Sequence, residues 1–466
     1  MHARTLFLLL FFALGSGFGA VATADEKAAV LGGPLLTEVG AERAGNSAGT
    51  IPAWTGGIKK PPAGFEPGSG YIDPYADDPV LFTIDAANAH EYADQLSPGQ
   101  RALLAAFPDS WHMNVYRSRR SAAYPSSVYD ALKLNVGRAE LVTEGLGGVR
   151  NAAISSPFPI PREGVEVIWN HTLRWRGVQV DRLNGQAALT RQLGAYRIIL
   201  LQEQVAMPYG LAEEYRFDNV DSQIAIAFRQ KIISPGSEAG FGQLLLQPVD
   251  FTKSRSQSWR YNPNLRRVLR NPFVGFDSPA PNSEGLRFQD ETDLFNGSPA
   301  LFTWKLLGKR EMYIPYNSSR LHSREASNED ILHRNHINPA LARYELHRVW
   351  VVEGTVRSKK RNSRTFNPDE RGHVYSRRVF YIDEDTWQIA VSDNYDKNGE
   401  LKRLGEGHMI HYYELPVPWY TLQVFYDFKA RRYLVNGLDN ALAPLRFSDK
   451  INPNEFSPLA LDYYVR

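Results

Sequence analysis

The sequence predicts an α+β chain, mainly β, in which a helical N-terminal part is followed by an antiparallel β-meander. Beyond Gly194 the spacing of apolar residues changes from near four to two. About eleven strand-like segments then follow one another with short turns between them. No βαβ alternation occurs, which argues against a parallel nucleotide-binding sheet.

Residues 1–24 have the pattern of a cleavable export signal. Arg4 gives the positive end, Leu6 to Phe12 with Ala13 and Leu14 the apolar core, and Ala22-Thr23-Ala24 the small residues at the cleavage positions. The run falls short of the roughly 20 residues that a membrane-spanning helix needs, so the mature chain is expected to start at Asp25 and to reside in a Gram-negative periplasm. The 466 residues contain no cysteine. That excludes disulfides, thiolate metal sites, a cysteine nucleophile and a lipid-modified N-terminal cysteine. After Ala24 the longest apolar stretches, such as Ile198 to Leu201 and Leu244 to Leu246, are only strand-sized.

With 53 basic and 51 acidic residues the net charge is +2, and nothing global steers the chain to nucleic acid. Two basic clusters, Arg117/Arg119/Arg120 and Lys359/Lys360/Arg361/Arg364, lie among Ser and Asn and read as solvated loops, with contact to anionic head groups as the alternative.

Residues 25–80, rich in Gly, Pro and Ala, are expected to form an extended arm that folds against something else. The remainder, 81–466, divides into a helical part (81–193) and the meander (194–466). Asp85 should cap a helix over Ala86 to Leu96. Ser97-Pro98 opens a second helix that stops before Pro108, and a third covers Val165 to Arg176. Strands are expected at Tyr196–Val205, Glu214–Val220, Ile224–Ile233, Ser256–Tyr261, Leu265–Leu269, Tyr344–Thr355, Arg377–Ile382, Trp387–Ser392, His408–Leu415, Thr421–Asp427 and Arg432–Val435.

Aromatic residues alternate along several of these strands: Tyr215 with Phe217, Phe228 with Ile224 and Ile226, Trp259 with Tyr261, and Trp350 with Tyr344, Leu346 and Val352. They serve either as plain core or, in a curved sheet, as the lining of a cavity for a hydrophobic ligand. The ligand-binding candidates are Tyr215, Phe228, Trp259, Tyr261 and Trp350.

No catalytic constellation stands out. His333 and His336, with Glu329 and Asp330 upstream, have metal-like spacing, yet no third histidine follows at ligand spacing and Pro339 cuts the segment short. His408 and His411 fall on opposite faces of a regular strand. A Gly-x-Ser-x-Gly elbow is absent, and the glycines of 145–148 and 236–242 lack a phosphate-binding context. Asp383, Glu384 and Asp385 are expected at an exposed hairpin tip, where no burial would raise a pKa. Neither a cofactor nor a metal is expected.

The segment Leu36-Thr-Glu-Val-Gly-Ala-Glu-Arg-Ala-Gly-Asn-Ser-Ala-Gly-Thr-Ile-Pro-Ala-Trp-Thr-Gly-Gly-Ile58 resembles the N-terminal signature of the proteobacterial family called domain of unknown function 1329. Ser258-Trp-Arg-Tyr-Asn-Pro-Asn-Leu-Arg-Arg-Val268, Arg378-Val-Phe-Tyr-Ile-Asp-Glu-Asp-Thr-Trp387 and Asp393-Asn-Tyr-Asp396 resemble its strand pairs. The resemblance implies an exported protein with a half-open barrel like that of the LolA and LolB lipoprotein carriers, helices packed in or over its concave face. It also implies a setting in outer-membrane trafficking, beside an outer-membrane β-barrel protein and a resistance-nodulation-division exporter.

The leading expectation is therefore a non-enzymatic periplasmic carrier or chaperone for a lipid or other hydrophobic molecule. The alternative is an adaptor that docks a barrel or exporter through the arm, with Trp54 as the partner contact. An envelope lipid hydrolase is a lesser alternative.

Overall fold

The computed structural model describes residues 30–189, 194–211, 223–271, 275–357 and 373–466. The leader, the strand expected at Glu214–Val220 with Tyr215, and the basic cluster Lys359 to Arg364 lie outside them. The β-strands are β1 (Phe82–Ile84), β2 (Met113–Tyr116), β3 (Glu140–Val142), β4 (Gly148–Arg150), β5 (Gln179–Leu189), β6 (Tyr196–Ala206), β7 (Ile224–Ser234), β8 (Gly242–Pro248), β9 (Gln257–Asn262), β10 (Arg267–Asn271), β11 (Phe302–Pro315), β12 (Tyr344–Val356), β13 (Arg377–Asp383), β14 (Ile389–Tyr395), β15 (Leu401–Tyr412), β16 (Val417–Asp427), β17 (Arg432–Leu438) and β18 (Arg446–Ser448). All but β3 and β4 join one sheet, and its main path runs β1-β2-β12-β13-β14-β15-β16-β17-β5-β6-β7-β8-β9-β10.

The architecture is mainly β and antiparallel, as expected; among the described residues the one parallel pairing is β2 with β12. It is two meanders rather than one, because β17 pairs with β5 across a long stretch of chain. The path ends on β1 at one side and β10 at the other, with β11 joined to β12 and β18 to β5 off it.

Stacked β-bulges bend the sheet. Thr421 is the extra residue where β16 slips against β15, and Gly437 is the extra residue where β17 slips against β5. Gly437 has φ of 102°, and a Cβ there would stand 2.3 Å from the Thr421 carbonyl oxygen. Gly437→Ala is accordingly expected to cost about 2 kcal/mol or more, read as a lower denaturation midpoint with an unchanged m-value.

Helix α1 (Pro98–Ala106) begins as expected, with Ser97 and Gln100 capping each other reciprocally. Helix α2 (Ser126–Arg138) follows a residue that gives no side-chain cap. Helix α3 (Gly164–Leu173) stops three residues short of the expected Arg176, so Arg174 and Arg176 lie on extended chain. The helix expected at Ala86 to Leu96 is a series of turns. Asp85 accepts from the amides of Ala87 and Asn88 while Asn88 bonds back to Asp85 and Thr83, and such local bonds compete with a helix. The C-terminal helix α4 (Pro458–Val465) packs on the convex side of β8 to β10.

Several strand boundaries shift: β10 begins at Arg267 after a turn, β14 at Ile389 and β15 at Leu401. The arm has no regular secondary structure of any length, and it packs on its own chain. Ile51, Ala41 and Trp54 are buried, and the Trp387 indole donates to the Val39 carbonyl at 3.0 Å.

Candidate functional site

The strands β6 to β8 present one face to the convex core and the other to a cavity. Ala206, Ala227, Leu244 and Leu246 join Tyr261, Phe456, Leu461 and Val465 beneath α4. The alternate residues Leu201, Glu203, Val205, Ile226, Phe228, Gln230, Gln243, Leu245 and Gln247 line a cavity of about 410 Å³. Next to them along the sheet, β5, β17 and β16 contribute Arg182, Gln186, Asn436, Trp419 and Gln423. The β6 to β8 part of the lining mixes aliphatic and aromatic side chains with amides and a carboxylate, and the β5, β16 and β17 part is mostly amides and a guanidinium group.

Residues 276–298 form the roof, pinned to the sheet by three carboxylates. Asp290 accepts from Arg378 at 2.7 Å and Glu291 from Arg403 at 2.6 Å. Asp293 takes Arg174 through two bonds of 2.8 Å and Arg176 through one of 2.6 Å. Burial alone would raise the Asp293 carboxyl, but the two arginines hold it well below the usual carboxylate range. The truncation of α3 is what brings Arg174 and Arg176 to this carboxylate.

Phe228 lines the cavity, as the sequence suggested, and Tyr215 lies outside the described residues. Trp259 and Tyr261 do not line it; they pack on the convex side against α4. Ile224 also leaves the face it was expected to share with Phe228, because β7 slips register between Ile224 and Ile226. Trp350 is distant in the fold, stacked on Trp387 at 6.2 Å with the Lys309 ammonium 4.7 Å over its ring. Trp54 is buried beneath Arg43, its indole donating to the Ala122 carbonyl at 3.3 Å. The signal that marks the cavity wall is period-two alternation in which polar residues share the inward face with apolar ones, as in Gln243-x-Leu245-x-Gln247.

The acids Asp383, Glu384 and Asp385 do occupy a turn, between β13 and β14, but they are buried, contrary to expectation. Arg120, expected on a solvated loop, is buried with them. It forks onto Asp385 at 2.8 and 2.6 Å and donates to the arm carbonyl of Glu42 at 2.8 Å. Arg119 likewise pairs with Asp78 at 2.5 Å. Lys309 bridges Glu384 and Glu42 at 2.6 and 3.1 Å. Burial raises the Asp383 and Glu384 carboxyls.

His347, Asp383 and Asp385 bring three ligand-type atoms within 4.8 Å of one another. They do not fit a metal well, because both oxygens of Asp385 already bind Arg120 and the His347 Nε2 faces Glu345 at 3.1 Å. The cluster fastens the arm to the sheet. His408 and His411 reach Ser318 and the Ile58 carbonyl, respectively, and do not converge. His336 faces Ser110 at 2.9 Å.

The site is thus a roofed cavity on one face of a bent antiparallel sheet. The chain belongs to the family described as protein of unknown function (DUF1329), whose sequence profile matches residues 83–462. It is 40% identical over 464 residues to the uncharacterized protein PA3922 of Pseudomonas aeruginosa, covering 99% of this chain and 97% of the relative. Solved structures that align with it include a putative outer membrane lipoprotein-sorting protein domain from Vibrio parahaemolyticus, at 14% identity and TM-score 0.42, over 64% of this chain and 98% of that one. A DUF1329 family protein from Desulfovibrio piger aligns at 12% identity and TM-score 0.41, over 61% and 92% of the two chains. A LolA superfamily protein from Nitrosomonas europaea aligns at 13% identity and TM-score 0.36, over 64% and 98%.

Proposed function

We propose that this protein is a non-catalytic carrier that holds a lipid or similar hydrophobic molecule in the roofed cavity, within the periplasm. One observation carries this reading. Leu201, Val205, Ile226, Phe228 and Leu245 face inward onto open space, although the other face of their strands already packs a core of its own. A cavity of about 410 Å³ is within the usual range for small-molecule sites. Burying an alkyl chain against such a wall contributes about 0.8 kcal/mol per CH₂, enough for a modest chain to bind without covalent chemistry.

The test is native mass spectrometry of the gently purified protein, with solvent extraction of whatever co-purifies. A stoichiometric apolar or amphipathic adduct is expected. Phe228→Asp should abolish that adduct with the denaturation midpoint little changed, because the side chain borders open space. A clean apo mass, with no uptake from an offered envelope-lipid extract, would sink the carrier reading. The burial of Trp54 against its own chain weighs against the arm as a docking element for an outer-membrane barrel or exporter.

A further inference from the structure

The cavity lining carries more positive charge than its carboxylates balance. Arg182 pairs with Glu203 at 2.7 Å, which leaves no net charge. Arg174 and Arg176 share the single carboxylate of Asp293, a net excess of one cation. Arg287 adds a second, because among the described residues no carboxylate lies within ion-pair distance of it. Its guanidinium donates only to Thr292 Oγ1 at 3.0 Å and Gln186 Oε1 at 3.2 Å, and its buried Nε–H has no partner. The two carboxylates that act on it from further away, Glu203 and Glu291, are already engaged by Arg182 and Arg403.

Burial pulls the protonation of Arg287 down, and that of Arg176 to about 10. Both shifts are those of cations short of counter-charge. The Nε–H of Arg176 is also buried without a partner, as is the Ser258 hydroxyl on the same cavity lining. A buried charge left uncompensated costs several kcal/mol, and an arginine fork matches a carboxylate or phosphate through paired N–H donors. The aliphatic wall of Leu201, Val205, Ile226, Phe228 and Leu245 borders the same space.

We propose that the ligand is an anionic amphiphile, its carboxylate or phosphate head received by Arg287 and its chain laid along the apolar wall. This rests on the carrier reading and adds the chemistry of the head group. The experiment compares three ligands of the full, delipidated protein by calorimetry below their micelle concentrations: dodecyl phosphate, dodecanol and inorganic phosphate. Dodecyl phosphate is expected to bind at least about ten-fold more tightly than dodecanol. Arg287→Gln, which keeps a hydrogen-bonding side chain, should cut that preference to less than about three-fold while leaving dodecanol affinity unchanged, and Arg287→Lys should restore part of it. Equal affinity for the two amphiphiles, or a preference that Arg287→Gln leaves intact, overturns the head-group assignment while the carrier reading stands. Inorganic phosphate binding as tightly as dodecyl phosphate overturns it in favour of a free-anion site. Failure of all three to bind overturns both readings.

Discussion

Arg120→Met is expected to destabilise the protein by about 3–5 kcal/mol, the range for removing one partner of a buried ion pair. Arg120 forks onto Asp385, lies 3.6 Å from Glu384, and donates to arm carbonyls of Glu42, Arg43 and Pro52. Its loss leaves three consecutive buried acids, Asp383, Glu384 and Asp385, with Lys309 and Arg348 on Glu384 and His347 3.9 Å from Asp383 as the nearby basic partners. The same change removes up to three bonds that hold the arm. Trypsin should therefore cut faster after Lys59 in the variant than in the wild type, well below the unfolding transition; the Lys60–Pro61 bond resists it in both. Arg120→Lys should recover little, since an ammonium cannot make the fork and reach the carbonyls at once. Adding Asp385→Asn to Arg120→Met should recover part of the loss, because it removes the charge left stranded. A cost below about 1 kcal/mol, typical of a surface pair, would mean that the cluster is solvated and does not clamp the arm.

The strands with an apolar inner face were legible: β6, β7, β12 and β13 fall within one or two residues of their expected bounds, because period-two apolar spacing is a direct consequence of a pleated, buried face. Strands β5 and β8 were not, since Arg182, Gln186, Gln243 and Gln247 face the cavity, and polar residues at alternate positions normally signal solvent. In β11 the slip between Leu306 and Gly308 breaks the alternation midway. Helix α2 lacks a capping side chain, the feature that made α1 readable.

Of the described aromatics singled out in the sequence, Phe228 lines the cavity. Trp259, Tyr261 and Trp350 show that a large aromatic on a strand reports burial, not which side of a two-faced sheet it occupies. The acid run of 383–385 was misread for a related reason. A turn between two strands is exposed by default, and what buries this one, Arg120 and residues of the arm, lies more than 250 positions away in the chain. No local pattern couples a basic triplet near position 120 to an acid triplet near 385. Only the fold sets their charges against each other.

A second acid pair lacks the cation that the first possesses, and it should make stability depend on pH. Asp393 accepts from Ser97 Oγ and Gly99 N at 3.0 Å each and from the Tyr381 hydroxyl at 3.2 Å. A Cβ on Gly99 would come 2.2 Å from its oxygen, so the glycine lets α1 dock directly on the carboxyl. Glu406 accepts from Tyr344 at 2.9 Å and Gln100 at 3.3 Å. An anion at the start of α1 gains at most about 2 kcal/mol from the helix dipole, less than the several kcal/mol that burying an unpaired carboxylate costs. Burial therefore wins, and both carboxyls rise to about 7.

The folded state then keeps two protons through a pH range in which the unfolded chain has lost them, so these groups stabilise the protein at low pH and the contribution is lost as pH rises through 7. Between pH 5 and pH 8 each should cost about 2–3 kcal/mol. Buried neutral His171, His408 and His411, depressed to about 3, 3 and 4, act in the opposite sense below pH 6.5. Their effect is common to wild type and variant, so a difference measurement cancels it. Asp393→Asn combined with Glu406→Gln should accordingly gain about 4–6 kcal/mol on the wild type as pH goes from 5 to 8, measured by denaturant unfolding at each pH. A difference that stays flat within about 1 kcal/mol would place both titrations below pH 5 and make the polar cradle around α1, not burial, the dominant influence on these two acids.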